Sequence, residues 1–419
     1  MSIYEELESN VRSYCRSFPV SFNRAKMSKM YADDGREYID FFNGAGALDY
    51  GHNNDYIKKR IIEYIESDGI SHALDLHTRV KGEFLTTFRN LILKPRGLDY
   101  KVMFCGPTGT NSVEAALKLS RKVTGRTGIF ALSGSFHGMT LGSLSITSGK
   151  VPRAGAGIPL TGVTFIPHPH SHPELDTIAY MEELMTDEYS GVEKPAAVFI
   201  ETVQAEGGVI VLSDKFIRDL RDLCDRQGVL LVVDDIQVGC GRTGKFCSFE
   251  QAGIIPDMVT LSKSISGYGL PMALLLLKPE HDIWTPAEHN GTFRGNQMAF
   301  VGAKAALEYR EEHRLEEKTL KDEALVRKFV TERLLPMDKN LQYRGKGLIH
   351  GVDFGRVEIE DAAGLVGKEC FLNGLVIERA GRGDCVLKIM PALTIEEDEL
   401  IKGLEIIEEA MKKVLMGNK

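Results

Sequence analysis

Strand-length apolar runs recur through the middle of the chain, at 129–132, 163–166, 196–202, 229–234, 258–261 and 272–277. They are mostly apolar instead of alternating with polar residues, which predicts strands buried on both faces. Between them the period lengthens to that of amphipathic helices at 112–122, 175–186 and 215–227, and a further strand-like stretch, 101–104, precedes the first of these. Strands alternating with helices predict an α/β fold, a mostly parallel central sheet covered by helices. After about Asn296 the texture changes. A long charged helical region at 299–334 gives way to strand-like runs at 347–354, 375–378 and 386–390. Thr394-Ile395-Glu396-Glu397 then forms a capping-box pattern that opens a last amphipathic helix to about Leu415. Near the other end, 30–39 reads as a hairpin turning at Asp34-Gly35. These shifts divide the chain into three: 1–50 and 301–419 as the N- and C-terminal parts of a smaller α+β domain, and 51–300 as a large domain.

Composition narrows the class of function. Of 419 residues, 43% are hydrophobic and 26% charged, enough apolar side chain for a large core and too much for a disordered chain. The longest apolar runs, 229–233 and 272–277, fall far short of the ~20 residues of a membrane span. Fifty-one basic against 59 acidic residues leave a net charge of −8, which argues against a nucleic-acid partner. The acidic first nine residues lack the apolar core of a secretory signal, and the seven scattered cysteines form no CxxC pair, so a reduced cytoplasmic protein is expected. His168, His170 and His172 alternate with Pro167, Pro169 and Pro173; without a nearby cysteine or acidic cluster they read as a surface loop, and no metal is expected.

Four segments carry chemistry. In Val232-Val233-Asp234-Asp235-Ile236-Gln237 a buried strand delivers acids at its C-terminal end, where open α/β sheets place their ligands. Another apolar run, 258–261, leads to Lys263 and then to small residues; a lysine at such an edge loses solvation, which favours the neutral, nucleophilic amine. Gly106-Pro107-Thr108-Gly109-Thr110 follows a strand and opens a helix, so the free amides there, with the Thr110 hydroxyl, make a phosphate cradle. It has neither the Gly-Lys-Thr/Ser of a Walker A loop nor the G-x-G-x-x-G of a dinucleotide site. Ser135-Phe136-His137-Gly138 places an aromatic after a further strand, suited to lie on a heteroaromatic ring. Each segment alone has an ordinary structural explanation: a buried ion pair, a solvent-reaching lysine, a capped helix, a core phenylalanine. Together they describe one ligand, a planar, phosphorylated, protonatable aldehyde, which is pyridoxal 5′-phosphate. Lys263 would bond its aldehyde, Asp234 would keep its ring nitrogen protonated, Gly109 and Thr110 would hold its phosphate, and Phe136 and His137 would face its ring.

The chain resembles the class III, or ω-type, aminotransferases of fold type I. Asp234-Asp235-Ile236-Gln237 is similar to their Asp-Glu-hydrophobic-Gln run, with Lys263 at the position of their cofactor lysine. Thr108–Ala116 resembles their phosphate loop, 201–208 their Glu-Pro-x-x-x-Glu-x-Gly, and Thr292-Phe293-Arg294-Gly295-Asn296 their Thr-Phe-x-Gly-Asn. The resemblance implies that the large domain binds the cofactor and that Gln237 bonds its phenolic oxygen. It also implies that Thr292 reaches the phosphate of a neighbouring subunit, hence a homodimer or higher oligomer with shared active sites. Glu206 matches a glutamate that pairs with a carboxylate-binding cation, and Lys388 stands where many members have an arginine. A lysine is a point charge that cannot grip a carboxylate bidentately, which departs from the usual clamp on 2-oxoglutarate. Arg294 and Arg382 are further candidate cations.

The stretches 11–19, 42–54, 262–271 and 289–294 resemble the branch of the family that acts on L-2,4-diaminobutyrate and 2-oxoglutarate to give L-aspartate 4-semialdehyde and L-glutamate, the first step of ectoine biosynthesis when run towards diaminobutyrate. The alternatives are an ω-aminotransferase for ornithine, acetylornithine or 4-aminobutyrate, diaminobutyrate supply for another pathway, and a pyridoxal-phosphate isomerase. Outside that chemistry stand a non-catalytic phosphate-ligand binder and a nucleotide-dependent dehydrogenase.

Overall fold

The computed structural model describes residues 2–417. Its centre is a seven-stranded sheet in the order Lys101–Phe104, Leu274–Leu277, Met258–Leu261, Leu230–Asp234, Ala197–Ile200, Ile129–Leu132, Val163–Ile166. Leu274–Leu277 is antiparallel to both its neighbours and every other pairing is parallel, so the remaining strands all end at one edge. The unbroken apolar runs follow from two-sided burial. Leu231 and Val233 enter one apolar cluster, Leu230 and Val232 another, and the polar edge comes only at Asp234. The helix Gly109–Thr124 covers one face through Val113, Ala116 and Leu117. Asp214–Gln227 covers the other through Ile217, Leu220 and Leu223; Ser213 caps its start by accepting from the Phe216 amide, and Gly228 ends it in the left-handed conformation.

Two smaller sheets are built from the chain's ends. The expected hairpin forms between Lys29–Ala32 and Glu37–Asp40, with Phe22–Lys26 on one side and Leu375–Val376 parallel to Glu37–Asp40 on the other. The second sheet runs in the order Gln342–Lys346, Ile349–Asp353, Val386–Ile389, Glu378–Ala380.

Three expectations are corrected by the structure. The helical region expected at 299–334 breaks into Gln297–Glu312 and Leu315–Phe329, because Arg314 takes a left-handed backbone (φ 48°) between them. The run at 375–378 is split between the two small sheets, since Leu375–Val376 and Glu378–Ala380 pair with different partners. No capping box forms at Thr394: its buried hydroxyl has no hydrogen-bond partner, and the last helix, Glu397–Met416, starts after Glu396. The expected surface loop at 168–172 exposes His170 and His172 but buries His168. Among the described residues no helix is long and apolar enough to cross a membrane.

One buried cation ties these parts together. Arg242 is fully buried; it donates to the carbonyls of Leu348 (2.9 Å) and Pro391 and pairs with Asp49, itself buried. Burial pushes the Asp49 carboxyl above its ordinary value, and Arg242 is the strongest opposing influence. Arg242→Met should therefore strand a buried carboxylate and cost about 3–5 kcal/mol. Thermal unfolding would register this as a large fall in midpoint; an unchanged midpoint would show that Asp49 needs no partner.

Candidate active site

The strand ends at one edge of the central sheet wall a cavity. Its lining is Gly109 and Thr110 after Lys101–Phe104, Phe136, His137 and Gly138 after Ile129–Leu132, Glu201 and Val203 after Ala197–Ile200, Asp234, Ile236, Gln237 and Val238 at the end of Leu230–Asp234, and Lys263 after Met258–Leu261. Parallel pairing thus gathers residues that lie far apart in the chain.

Asp234 is 4% exposed and held on three sides. Its Oδ2 lies 2.7 Å from Nδ1 of His137, and its Oδ1 accepts from the Thr260 hydroxyl at 2.9 Å and the Ile236 amide at 3.1 Å. Burial works against a charged His137, yet the hydrogen bond to Asp234, its charge and that of Glu201 raise the imidazole above its ordinary value. Glu201, which accepts from the Phe136 amide at 2.9 Å, is pushed up to about 8, chiefly by burial. Asp235 is absent from the cavity lining and accepts from the amide (2.9 Å) and hydroxyl of Ser248; burial pushes it up to about 7.

Lys263 begins a short turn, Lys263–Ser266, with its own backbone left-handed (φ 51°). Burial lowers its ammonium below the usual lysine range, and Lys388 adds to this while Glu206, Glu378 and Asp234 oppose it. Lys388 is fully buried and bridges Glu206 Oε1 at 2.7 Å and Glu378 Oε2 at 2.9 Å. The charges of these two carboxylates outweigh burial and keep its ammonium above the ordinary value. Burial alone would raise Glu206, but Lys388 and Lys263, with hydrogen bonds from Lys388 and Gln237, bring it below the usual carboxylate range.

Gly109, Thr110, Phe136, His137, Asp234, Gln237 and Lys263 therefore share one cavity, while Glu206 and Lys388 stand just behind Gln237, whose amide donates to Glu206 at 3.0 Å and to the Ala45 carbonyl at 2.9 Å. Thr292 is exposed and lies outside the cavity wall of its own chain, its carbonyl 2.9 Å from His72 Nε2. Arg294 donates to the His289 carbonyl and Asn290, and neither it nor Arg382 lines the cavity. Thr260 and Glu378 are site neighbours that the sequence does not single out, and Glu201 is marked there only as the first residue of the 201–208 motif. For Glu201 a signal was present, an acid at the end of a buried strand like that of Asp234.

Pyridoxal phosphate fits these residues. His137 Nε2 is buried without a hydrogen-bond partner. A Cβ on Gly109 would stand 2.9 Å from Ile236, and one on Gly138, at φ 126°, 2.6 Å from the Thr110 hydroxyl, so backbone and not side chain faces the cavity there. Beside these glycines the first amides of the helix Gly109–Thr124 are free for a phosphate, and Lys263 and Asp234 meet the needs of an aldehyde and a basic ring nitrogen.

Comparison with known proteins agrees with this geometry. The family model "Aminotransferase class-III" matches residues 12–411. The chain is 51% identical, over 99% of its length and 97% of the relative's, to a diaminobutyrate–2-oxoglutarate transaminase of Halalkalibacterium halodurans. It is 52% identical, over 99% and 98%, to one of Streptomyces coelicolor. Among solved structures, an ornithine aminotransferase from Toxoplasma gondii superposes with a TM-score of 0.86 at 23% identity, over 98% of this chain and 93% of its own. A transaminase from the marine bacterium Virgibacillus gives 0.88 at 20%, over 100% and 99%. At such identities these structures attest the fold, while the family match extends along the sequence itself: the chain belongs to the class III aminotransferases.

Proposed function

We propose that this protein is a pyridoxal-phosphate-dependent transaminase that converts L-2,4-diaminobutyrate and 2-oxoglutarate into L-aspartate 4-semialdehyde and L-glutamate, and back. One observation carries the choice of substrate. The two curated diaminobutyrate–2-oxoglutarate transaminases are 51% and 52% identical to this chain over nearly its whole length, more than twice the 23% of the ornithine aminotransferase that shares its fold.

When bound, pyridoxal phosphate supplies an aldehyde that accepts the amino group and a ring that draws electrons from the carbon losing a proton. The first amides of Gly109–Thr124 and the Thr110 hydroxyl would hold its phosphate. Phe136, Val203, Ile236 and Val238 supply apolar walls that exclude water and orient a flat ring. Asp234, fixed by His137, Thr260 and the Ile236 amide, holds a proton on a pyridine nitrogen. Lys263, whose charge burial disfavours, presents Nζ as the base that takes the proton from the amine-bearing carbon and later returns one. Gln237 lines the same cavity, and turning its amide away from Glu206 or the Ala45 carbonyl would free a donor for a phenolic oxygen.

We further infer that two copies pair so that Thr292 of one meets the cavity of the other. The exposure of Thr292 outside its own cavity and of apolar Leu74, Leu76, Met139 and Leu141 supports this. The division at about residues 50 and 300 is proposed on the same footing, supported by the sharing of one small sheet between the chain's ends. Cysteines without disulfide partners support a cytoplasmic setting, and the stretches at 11–19 and 42–54 support a place in ectoine synthesis.

Three outcomes follow. Purified protein loaded with the cofactor should form glutamate from 2-oxoglutarate faster with diaminobutyrate than with ornithine, acetylornithine or 4-aminobutyrate; a preference for any of those would make that amine the substrate instead. Lys263→Ala should lower kcat by more than about 10⁴-fold and abolish the covalent cofactor adduct that borohydride traps, read by mass spectrometry. Asp234→Asn should keep the wild-type unfolding temperature within a few degrees while kcat drops about 10²- to 10³-fold; near-native turnover would show that the ring nitrogen does not depend on this carboxylate.

A further inference from the structure

Lys388 shares a single positive charge between two carboxylates. With Glu206 its ammonium makes a true hydrogen bond at 2.7 Å. Glu378 Oε2 pairs with the same ammonium from 2.9 Å, out of line for a well-aligned hydrogen bond, although the residue is only 7% exposed. A buried carboxylate oxygen without an aligned donor is rare and has room to accept a further one. Burial and the charge of Glu206 hold the Glu378 carboxyl above its ordinary range in spite of Lys388. The cluster adjoins the cavity through Gln237, a residue of the cavity wall whose amide donates to Glu206 at 3.0 Å. Tyr14 stands on its outer side, with its ring 4.9 Å from that of Phe42. Burial of its hydroxyl end and the charges of Glu378 and Glu206 raise its phenol above the ordinary value.

With both carboxylates ionised, Glu206, Lys388 and Glu378 sum to one negative charge. Even with Glu206 turned aside, Lys388 keeps Glu378, and the pair is neutral. A group of zero or negative net charge gives a bare carboxylate no net attraction, whereas its carboxylate oxygens attract an ammonium. We infer that Glu378 is a specificity-determining residue that takes the α-ammonium of an amino donor reacting through its other amine, with Lys388 beside it for the adjoining α-carboxylate. The inference deepens the transaminase reading and rests on it. A donor of this class is zwitterionic at its far end. 4-Aminobutyrate has the carbon chain of diaminobutyrate without the α-ammonium, so the ratio of kcat/KM for the two isolates the contact in question.

The test compares that ratio in the wild-type holoenzyme and in Glu378→Gln, with 2-oxoglutarate as acceptor and thermal unfolding as a check on the fold. Wild type should favour diaminobutyrate, and E378Q should lower the ratio roughly 10- to 100-fold, the worth of one charge-assisted hydrogen bond, chiefly through KM for diaminobutyrate. A ratio that moves less than about 2-fold would overturn the assignment. Should E378Q fail to fold, Glu378→Asp, which keeps the charge but withdraws it by a methylene, must still lower the ratio, and an unaltered ratio would again overturn it. Wild type that consumes both amines equally well would overturn the role of Glu378 and leave the transaminase reading standing; consumption of neither would overturn that reading itself.

Discussion

Asp234 ends a strand whose other residues are apolar and buried, so its carboxylate reaches the sheet edge with its hydration already removed. An ion desolvated in this way persists only when neighbours replace the lost water. Those neighbours are His137, Thr260 and the Ile236 amide, each supplied by a different strand end or turn. The same condition recurs around the cavity. Lys263 is desolvated and loses affinity for its proton; Glu201 is desolvated and gains affinity for one. Parallel pairing brings all of them to one edge, and the two-sided apolar core behind them excludes water. The chemistry of the site is thus a property of the sheet's direction as much as of its residues.

Two-sided burial also explains which elements were legible from the sequence. A mostly apolar run marks a strand of the central sheet, and 129–132, 163–166 and 258–261 match to the residue. Acid, lysine and glycine loop at the ends of such runs could be read as one site because strand ends of a parallel sheet converge. Elements decided by long-range contact were not legible. Arg314 interrupts a helical pattern with a left-handed backbone that its charged surroundings do not announce. Thr394 fits a capping box by type, but packing buries its hydroxyl and moves the helix start to Glu397. Glu378 lies on a short edge strand, and nothing local distinguishes it from a solvated glutamate until Val386–Ile389 lays Lys388 against it.

Lys388 itself changes meaning between sequence and structure. By position it read as a cation waiting for a substrate carboxylate. In place it is fully buried with two carboxylates already upon it. A free cation there would be costly to bury and would repel the ammonium form of Lys263, driving its proton affinity far down. Glu206 and Glu378 relieve both problems, since each opposes the lowering of Lys263 that burial and Lys388 cause. Substituting lysine for a planar guanidinium is tolerable in this setting because two separate carboxylates converge on one compact ammonium, a geometry that a point charge satisfies and a fork does not require. The three side chains are therefore one electrostatic unit with the Lys263 amine, and a change in the charge of any of them is felt there.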